Sequence, residues 1–176
     1  MIRLFVAIPI PTGVKKQIGA ACADFPSEKW TPLSNLHLTV HFIGNLHPDE
    51  IAPLSAKLNA ICLQFDLFTL QFKDVCFIGN RKRPMIWIRL HHSERLELLA
   101  SLIGEVTGSE PDLPFTPHIT LLRLSEESNP DQKLKLLSKI PVQPFQLEVR
   151  QVELWDSVPA DGGRKYTCLQ KFPFGR

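Results

Sequence analysis

The sequence predicts an α+β fold of two pseudo-symmetric lobes, each an antiparallel sheet with helices packed on its outer face, around a central cleft. Three observations carry this expectation. Strand and helix periodicities alternate along the chain. A strand–helix–strand unit occurs twice. Each copy ends on a strand that reads His, one apolar residue, Thr, one apolar residue, within "NLHLTVHFIG" at 35–44 and "PFTPHITLLRL" at 114–124. An aromatic on the opening strand precedes the histidine by 32 residues in one copy (Phe5 to His37) and by 31 in the other (Trp87 to His118). Two copies are too few for a solenoid. The expectation is one domain over residues 1–176, two interleaved lobes with one His-x-Thr each, and His37 and His118 on opposite sides of a shared cleft.

The elements follow in order. Residues 3–9 alternate as a strand, with Leu4, Val6 and Ile8 on one face and Arg3, Phe5 and Ala7 on the other. Val14, Ile18, Ala21 and Phe25 make the stripe of a helix. Residues 36–43 form a strand with Leu36, Leu38, Val40 and Phe42 on one face and His37, Thr39 and His41 on the other. Pro48 opens a second helix, where its missing N–H costs nothing, and Ile51, Leu54, Leu58 and Ile61 are its buried stripe. Residues 67–78 are extended, and "GNRKRP" at 79–84 is a basic loop. Residues 85–90 place Met85, Trp87 and Arg89 opposite Ile86, Ile88 and Leu90. Ser93 caps a helix with the stripe Leu96, Leu99, Ile103 and Val106. A strand at 117–123 and a short helix near 130–139 follow, then strands at 145–155 and 165–172 joined by a turn at Gly162-Gly163.

Composition excludes several classes. Hydrophobic residues are 44% and charged residues 22%, the profile of a globular chain able to bury a core without staples. A net charge of +2 advertises no nucleic-acid or membrane field, so an anion must be held locally. Cys22, Cys62, Cys76 and Cys168 form no CxxC pair, which fits a reducing cytoplasm. The opening "MIRLFVAIPIPTGVKKQIGAACA" imitates a signal peptide, but Pro9 and Pro11 interrupt it and Lys15 and Lys16 follow, so it reads as strand and helix. No run approaches a membrane span.

Paired imidazoles near neutrality can divide proton transfer, one taking a proton from the nucleophile and one giving a proton to the leaving group. Thr39 and Thr120, one residue removed on the same face, offer hydroxyls for the non-bridging oxygens of a phosphate. This is phosphoester chemistry without a metal or other cofactor. A three-imidazole zinc site from His37, His41 and His118 is the rival, but it leaves the threonines without a role. No GxSxG elbow or Cys–base pair is present. His41 reads as a supporting or edge residue; His47, His91 and His92 read as surface.

At these residues the chain resembles the 2H phosphoesterase superfamily, in its bacterial RNA 2′,3′-cyclic phosphodiesterase branch, historically called 2′-5′ RNA ligase. "RLFVAIPIP" at 3–11 resembles the opening strand of that family, and "RPMIWI" at 83–88 and "GGRKYTCL" at 162–169 resemble the segments framing its cleft. The resemblance implies hydrolysis of 2′,3′-cyclic phosphate ends of RNA to a 2′-phosphate, with 2′-5′ ligation as the reverse. It implies His37 as general acid, His118 as general base, and Thr39, Thr120 and Arg123 on the phosphate. Strict alternation sets Arg123 on the face opposite His118, so that role requires a bulge or an early strand end. Phe5, Trp87 and Tyr166 are candidates to stack on a nucleobase, and Arg81, Lys82 and Arg83 a basic rim for the RNA backbone. The expected partner is RNA or a nucleotide with a 2′,3′-cyclic end, with no membrane and no obligate protein partner, in the cytoplasm. Other readings are a nucleotide-binding module without turnover, a metallohydrolase, and a hydrolase of another cyclic phosphodiester.

Overall fold

The computed structural model describes residues 1–26, 28–78, 84–108, 115–124, 131, 135, 137–161 and 163–175. Its strands are β1 (Ile2–Pro9), β2 (His37–Leu46), β3 (Phe68–Ile78), β4 (Met85–Leu90), β5 (His118–Arg123), β6 (Gln146–Val149), β7 (Gln151–Ala160) and β8 (Gly163–Pro173). Its helices are α1 (Thr12–Ala23), α2 (Pro48–Cys62) and α3 (Glu94–Thr107). The expected basic rim of Arg81, Lys82 and Arg83 lies outside the described residues, as does half of the expected helix near 130–139.

All eight strands form one sheet in the order β6-β3-β4-β5-β2-β1-β7-β8. The lobes are its two halves, β2-β1-β7-β8 and β5-β4-β3-β6. They meet along β2 and β5, where Leu38 faces Ile119 as the one registered pair. These two residues hold the same place in the two His-x-Thr motifs, so the pseudo-twofold axis passes between them. The sheet curls until its ends approach: Phe68 of β3 stacks on Phe174, just past β8, at 5.8 Å and 17°.

The expected single strand at 145–155 is two strands in different lobes. β6 pairs with β3, whereas β7 pairs with β1 and β8. The chain changes lobes at Arg150. The alternation slips there. Phe145, Leu147 and Val149 are apolar at every second position, then Arg150 and Gln151 are both polar, and Val152 and Leu154 resume one residue out of phase, a trace of the break that the single-strand reading passed over.

One face of the sheet is covered by the helices and carries a continuous core. Ile18, Leu58, Leu96, Leu99 and Ile103 pack there against Val6, Leu38, Ile88, Ile119 and Leu154, all under 2% exposed. Truncating Leu38 or Ile119 to Ala at this seam would leave a cavity costing about 2–5 kcal/mol. The first turns of α2 and α3 are capped by side chains. Ser93 Oγ accepts from Leu96 N at 3.3 Å, and Gly108 supplies the left-handed turn after α3 at φ 71°. Pro48 opens α2 as expected. His47 is its cap: its backbone N–H donates to Glu50 Oε2 at 2.9 Å, and its ring accepts from Asp49 N at 3.4 Å.

Candidate active site

The opposite sheet face holds the candidate site. His37 and His118 are the first residues of β2 and β5. The Leu38–Ile119 register, continued by one residue, sets His37 across from Thr120 and Thr39 across from His118. The histidines are then diagonal neighbours, about 7–8 Å apart at the backbone. Four side chains able to bond a phosphate converge on one patch of sheet.

Both rings are held alike. His37 Nδ1 donates to Asn35 O at 2.6 Å and His118 Nδ1 donates to Thr116 O at 2.9 Å, each a carbonyl two residues upstream. With the proton fixed at Nδ1, Nε2 is left for chemistry. Thr39 Oγ1 lies 3.0 Å from His37 Nε2 and donates to it.

Burial pushes His37 down to about 4, opposed by its bond to the Asn35 carbonyl and reinforced by the charges of Arg123, His118 and Lys15. Burial also lowers His118, opposed by its bond to the Thr116 carbonyl and reinforced by Arg123. Each ring is therefore neutral near pH 7, and the two are close enough for the charge of His118 to act on His37. Arg89, across from His118, is neutralised by Asp74 through two bonds, Nε to Oδ1 at 2.8 Å and Nη2 to Oδ2 at 2.6 Å.

Two bulges decide which neighbours join the site. The register of β5 against β4 shifts between Ile86 and Trp87. Leu121 and Leu122 both turn into the core at 1% exposed, and Arg123 returns to the face of His118. The condition that alternation imposed on Arg123 is met. In β2 the register against β1 shifts between Val6 and Ala7. Val40 and His41 both turn into the core, at 2% and 5% exposed.

His41 therefore does not share the face of His37, contrary to the alternation. Its Nε2 lies 3.0 Å from Thr107 Oγ1 on α3. That hydroxyl donates to the carbonyls of Ile103 and Gly104, so the imidazole N–H is the donor to it. A three-imidazole site from His37, His41 and His118 is not formed. Among the described residues, no group of three or more His, Cys, Asp or Glu side chains could hold a metal ion. Phe42, expected on the aliphatic face, emerges on the cleft side at 64% exposed.

The aromatics also differ from expectation. Phe5 is 2% exposed, so its ring offers no open face to a base. It lies under His37 at 4.9 Å, packed with Phe42, Trp155 and Tyr166. Trp87 stacks on His118 at 3.5 Å and 11°, so one of its faces is already covered. Tyr166 meets His37 edge-on at 5.3 Å and lines a cleft of about 570 Å³. His37, Phe42 and Arg123 also line that cleft, whereas His118, Thr39, Thr120 and Trp87 lie outside its wall.

Sequence reasoning missed Phe42, Asn35 and Trp155. Trp155 lies 5.4 Å from His37, and its indole N–H donates to buried Glu153 at 2.8 Å. It faces Phe5 across β1 and β7, a pairing with no local trace in the sequence.

Comparison with known proteins bears on the family and the fold. The chain is 31% identical to an RNA 2′,3′-cyclic phosphodiesterase of Escherichia coli over 97% of its length and 95% of that protein. It is 26% identical to an RNA 2′,3′-cyclic phosphodiesterase of Thermotoga maritima, covering 98% of this chain and 95% of that one. The crystal structure of E. coli LigT complexed with 3′-AMP superposes with a TM-score of 0.77 at 26% identity, covering 99% of this chain and 98% of that one. Residues 10–160 match the family model described as the 2′-5′ RNA ligase superfamily. The chain therefore belongs to the 2′-5′ RNA ligase superfamily.

Proposed function

We propose that the chain is an RNA 2′,3′-cyclic phosphodiesterase that works by paired histidine acid–base catalysis without a metal ion. The observation that carries this is the doubled His-x-Thr on adjoining strands, each imidazole locked through Nδ1 to the carbonyl two residues upstream. The names of the two relatives above supply the substrate class.

His118 Nε2 takes a proton from water as the water oxygen bonds to phosphorus. The bond from phosphorus to the 3′ oxygen breaks, and His37 Nε2 delivers a proton to that oxygen. A 2′-phosphomonoester and a free 3′-hydroxyl result. The same sequence with a 5′-hydroxyl in place of water forms a 2′-5′ linkage as the bond from phosphorus to the 3′ oxygen breaks. Its reverse, attack of the 3′-hydroxyl with loss of the 5′ oxygen, cleaves that linkage. The order of acid and base follows the family resemblance, since pseudo-symmetry serves either order. Thr39, Thr120 and Arg123 bind the phosphate oxygens. Both rings are neutral in the free protein, so the one that acts as acid gains its proton with the substrate, whose anion offsets the burial and the cations that depress it.

Phe42 and Tyr166 flank the terminal base, while Phe5 and Trp87 support the histidines from behind. Residues 1–176 act as one unit, because β7 and β8 complete the first lobe after the second has been built. Four free cysteines among the described residues suit work in the cytoplasm. No described helix is long and apolar enough to cross a membrane.

The test is incubation of a 2′,3′-cyclic-phosphate oligonucleotide in excess EDTA, followed by product identification. Undiminished turnover to a 2′-phosphate is expected. A 3′-phosphate product, loss of activity with chelator, or no turnover at all would overturn the proposal.

A further inference from the structure

The cleft extends beyond His37 and Arg123 to Arg3, Ser157 and Arg164. It adjoins a second cavity of about 330 Å³, and Arg3, Ser157 and Arg164 line both. Arg3, Lys29, Arg123 and Arg164 stand in the main cleft wall against one carboxylate, Asp161. In a chain with a net charge of only +2, that is a local concentration of cations.

Arg164 is fixed in place. Its Nε donates to Ser157 Oγ at 2.6 Å and its Nη2 to the Ser157 carbonyl at 2.7 Å. Ser157 is 6% exposed, so the clamp is itself well anchored. Nη1 takes no part in the clamp and remains for an anion. The backbone carbonyl of Arg164 accepts from Asn35 Nδ2 at 2.7 Å, and Asn35 is the residue whose own carbonyl holds His37. The guanidinium is thus tied to the catalytic strand through one shared residue.

Arg3 lies two positions beyond Phe5 on the same strand face, about 7 Å further along β1. Phe5 sits directly under His37. The offset suits one nucleotide step along a single strand. A 2′,3′-cyclic phosphate ends its chain, so any neighbouring phosphate lies on the 5′ side. Asp156 lines the second cavity, which sets an anion at the junction between the cavities, where the two arginines are shared.

We propose that Arg3 and Arg164 form a second anion subsite for the phosphate 5′ to the terminal nucleotide, so that the enzyme prefers oligonucleotide ends to mononucleotides. This rests on the phosphodiesterase reading above. The test compares a nucleoside 2′,3′-cyclic phosphate with the dinucleotide that ends in the same group. The dinucleotide should be favoured about tenfold or more in kcat/KM, mainly through KM. Its binding should show a steeper salt dependence, by about 0.7 in the log–log slope for one added phosphate contact.

R3Q and R164Q should each lower the dinucleotide-to-mononucleotide ratio several-fold, and together bring it close to one. No preference in the wild-type protein, or variants that slow both substrates equally, would overturn the subsite. If neither cyclic phosphate is turned over, the phosphodiesterase reading fails. Equilibrium binding of the corresponding 3′-phosphorylated mononucleotide and dinucleotide, with the same two variants, then decides the subsite by itself.

Discussion

β2 and β5 are the same device built twice and finished differently. From the histidine onward, residues 37–42 and 118–123 share one burial order: half-buried, buried, half-buried, buried, buried, exposed. A bulge produces the two consecutive buried positions in both strands. Corresponding positions beyond the His and Thr then diverge. His41 answers to Leu122, and Phe42 to Arg123. Behind the rings, Phe5 lies at 4.9 Å and 42° from His37, whereas Trp87 lies flat on His118 at 3.5 Å and 11°. The shared part suits proton transfer at either end of a phosphate. The divergent part sets Arg123 beside one strand and exposed Phe42 beside the other, an asymmetry that under the proposed function orients the nucleotide.

The largest effect tests the shared part. H37A and H118A should each reduce kcat/KM on a 2′,3′-cyclic oligonucleotide by about 10²–10⁴, and the double variant should fall little further. Effects that multiply in the double variant would mean that the rings act independently.

The next effect tests the divergence. R123Q should lower kcat/KM by about 10- to 100-fold through the loss of a charged hydrogen bond to phosphate. It should also move the acid limb of the kcat/KM profile to higher pH. Arg123 helps hold both imidazoles down, so its removal raises them and the base becomes protonated sooner as pH falls. F42A should instead raise KM, by the equivalent of about 1–3 kcal/mol of base stacking, and leave the pH limbs in place. Matching profiles for the two variants would erase the proposed division of labour.

The smallest effect concerns His41. H41L copies the residue at the equivalent place in β5. It removes the buried hydrogen bond between the imidazole and Thr107 Oγ1, while Thr107 keeps the carbonyls of Ile103 and Gly104. Stability by denaturant titration should change by no more than about 1.5 kcal/mol. Activity should persist, since His41 faces α3 and not the cleft.

How far the sequence reaches is visible in single residues. Leu4, Val6, Ile8, Leu38, Ile86 and Ile88 are in the core, as alternation requires, because each sits where its strand is regular. His41, Phe42 and Arg123 lie past the bulges, where one extra residue reverses every following side chain. A bulge is set by the partner strand, so "HLTVHF" and "HITLLR" do not disclose theirs in isolation.

By itself the sequence determined most of the strand–helix order, the buried stripes of α2 and α3, the Ser93 cap, and the duplication that pairs His37 with His118, because these depend on local periodicity and residue chemistry. Tertiary structure alone decided which lobe each part of 145–155 joins, the turning of His41 into the core, the emergence of Phe42 and Arg123 toward the cleft, and the joining of Trp155 to His37. Each depends on register between strands far apart in the chain, and register is a property of the assembled sheet.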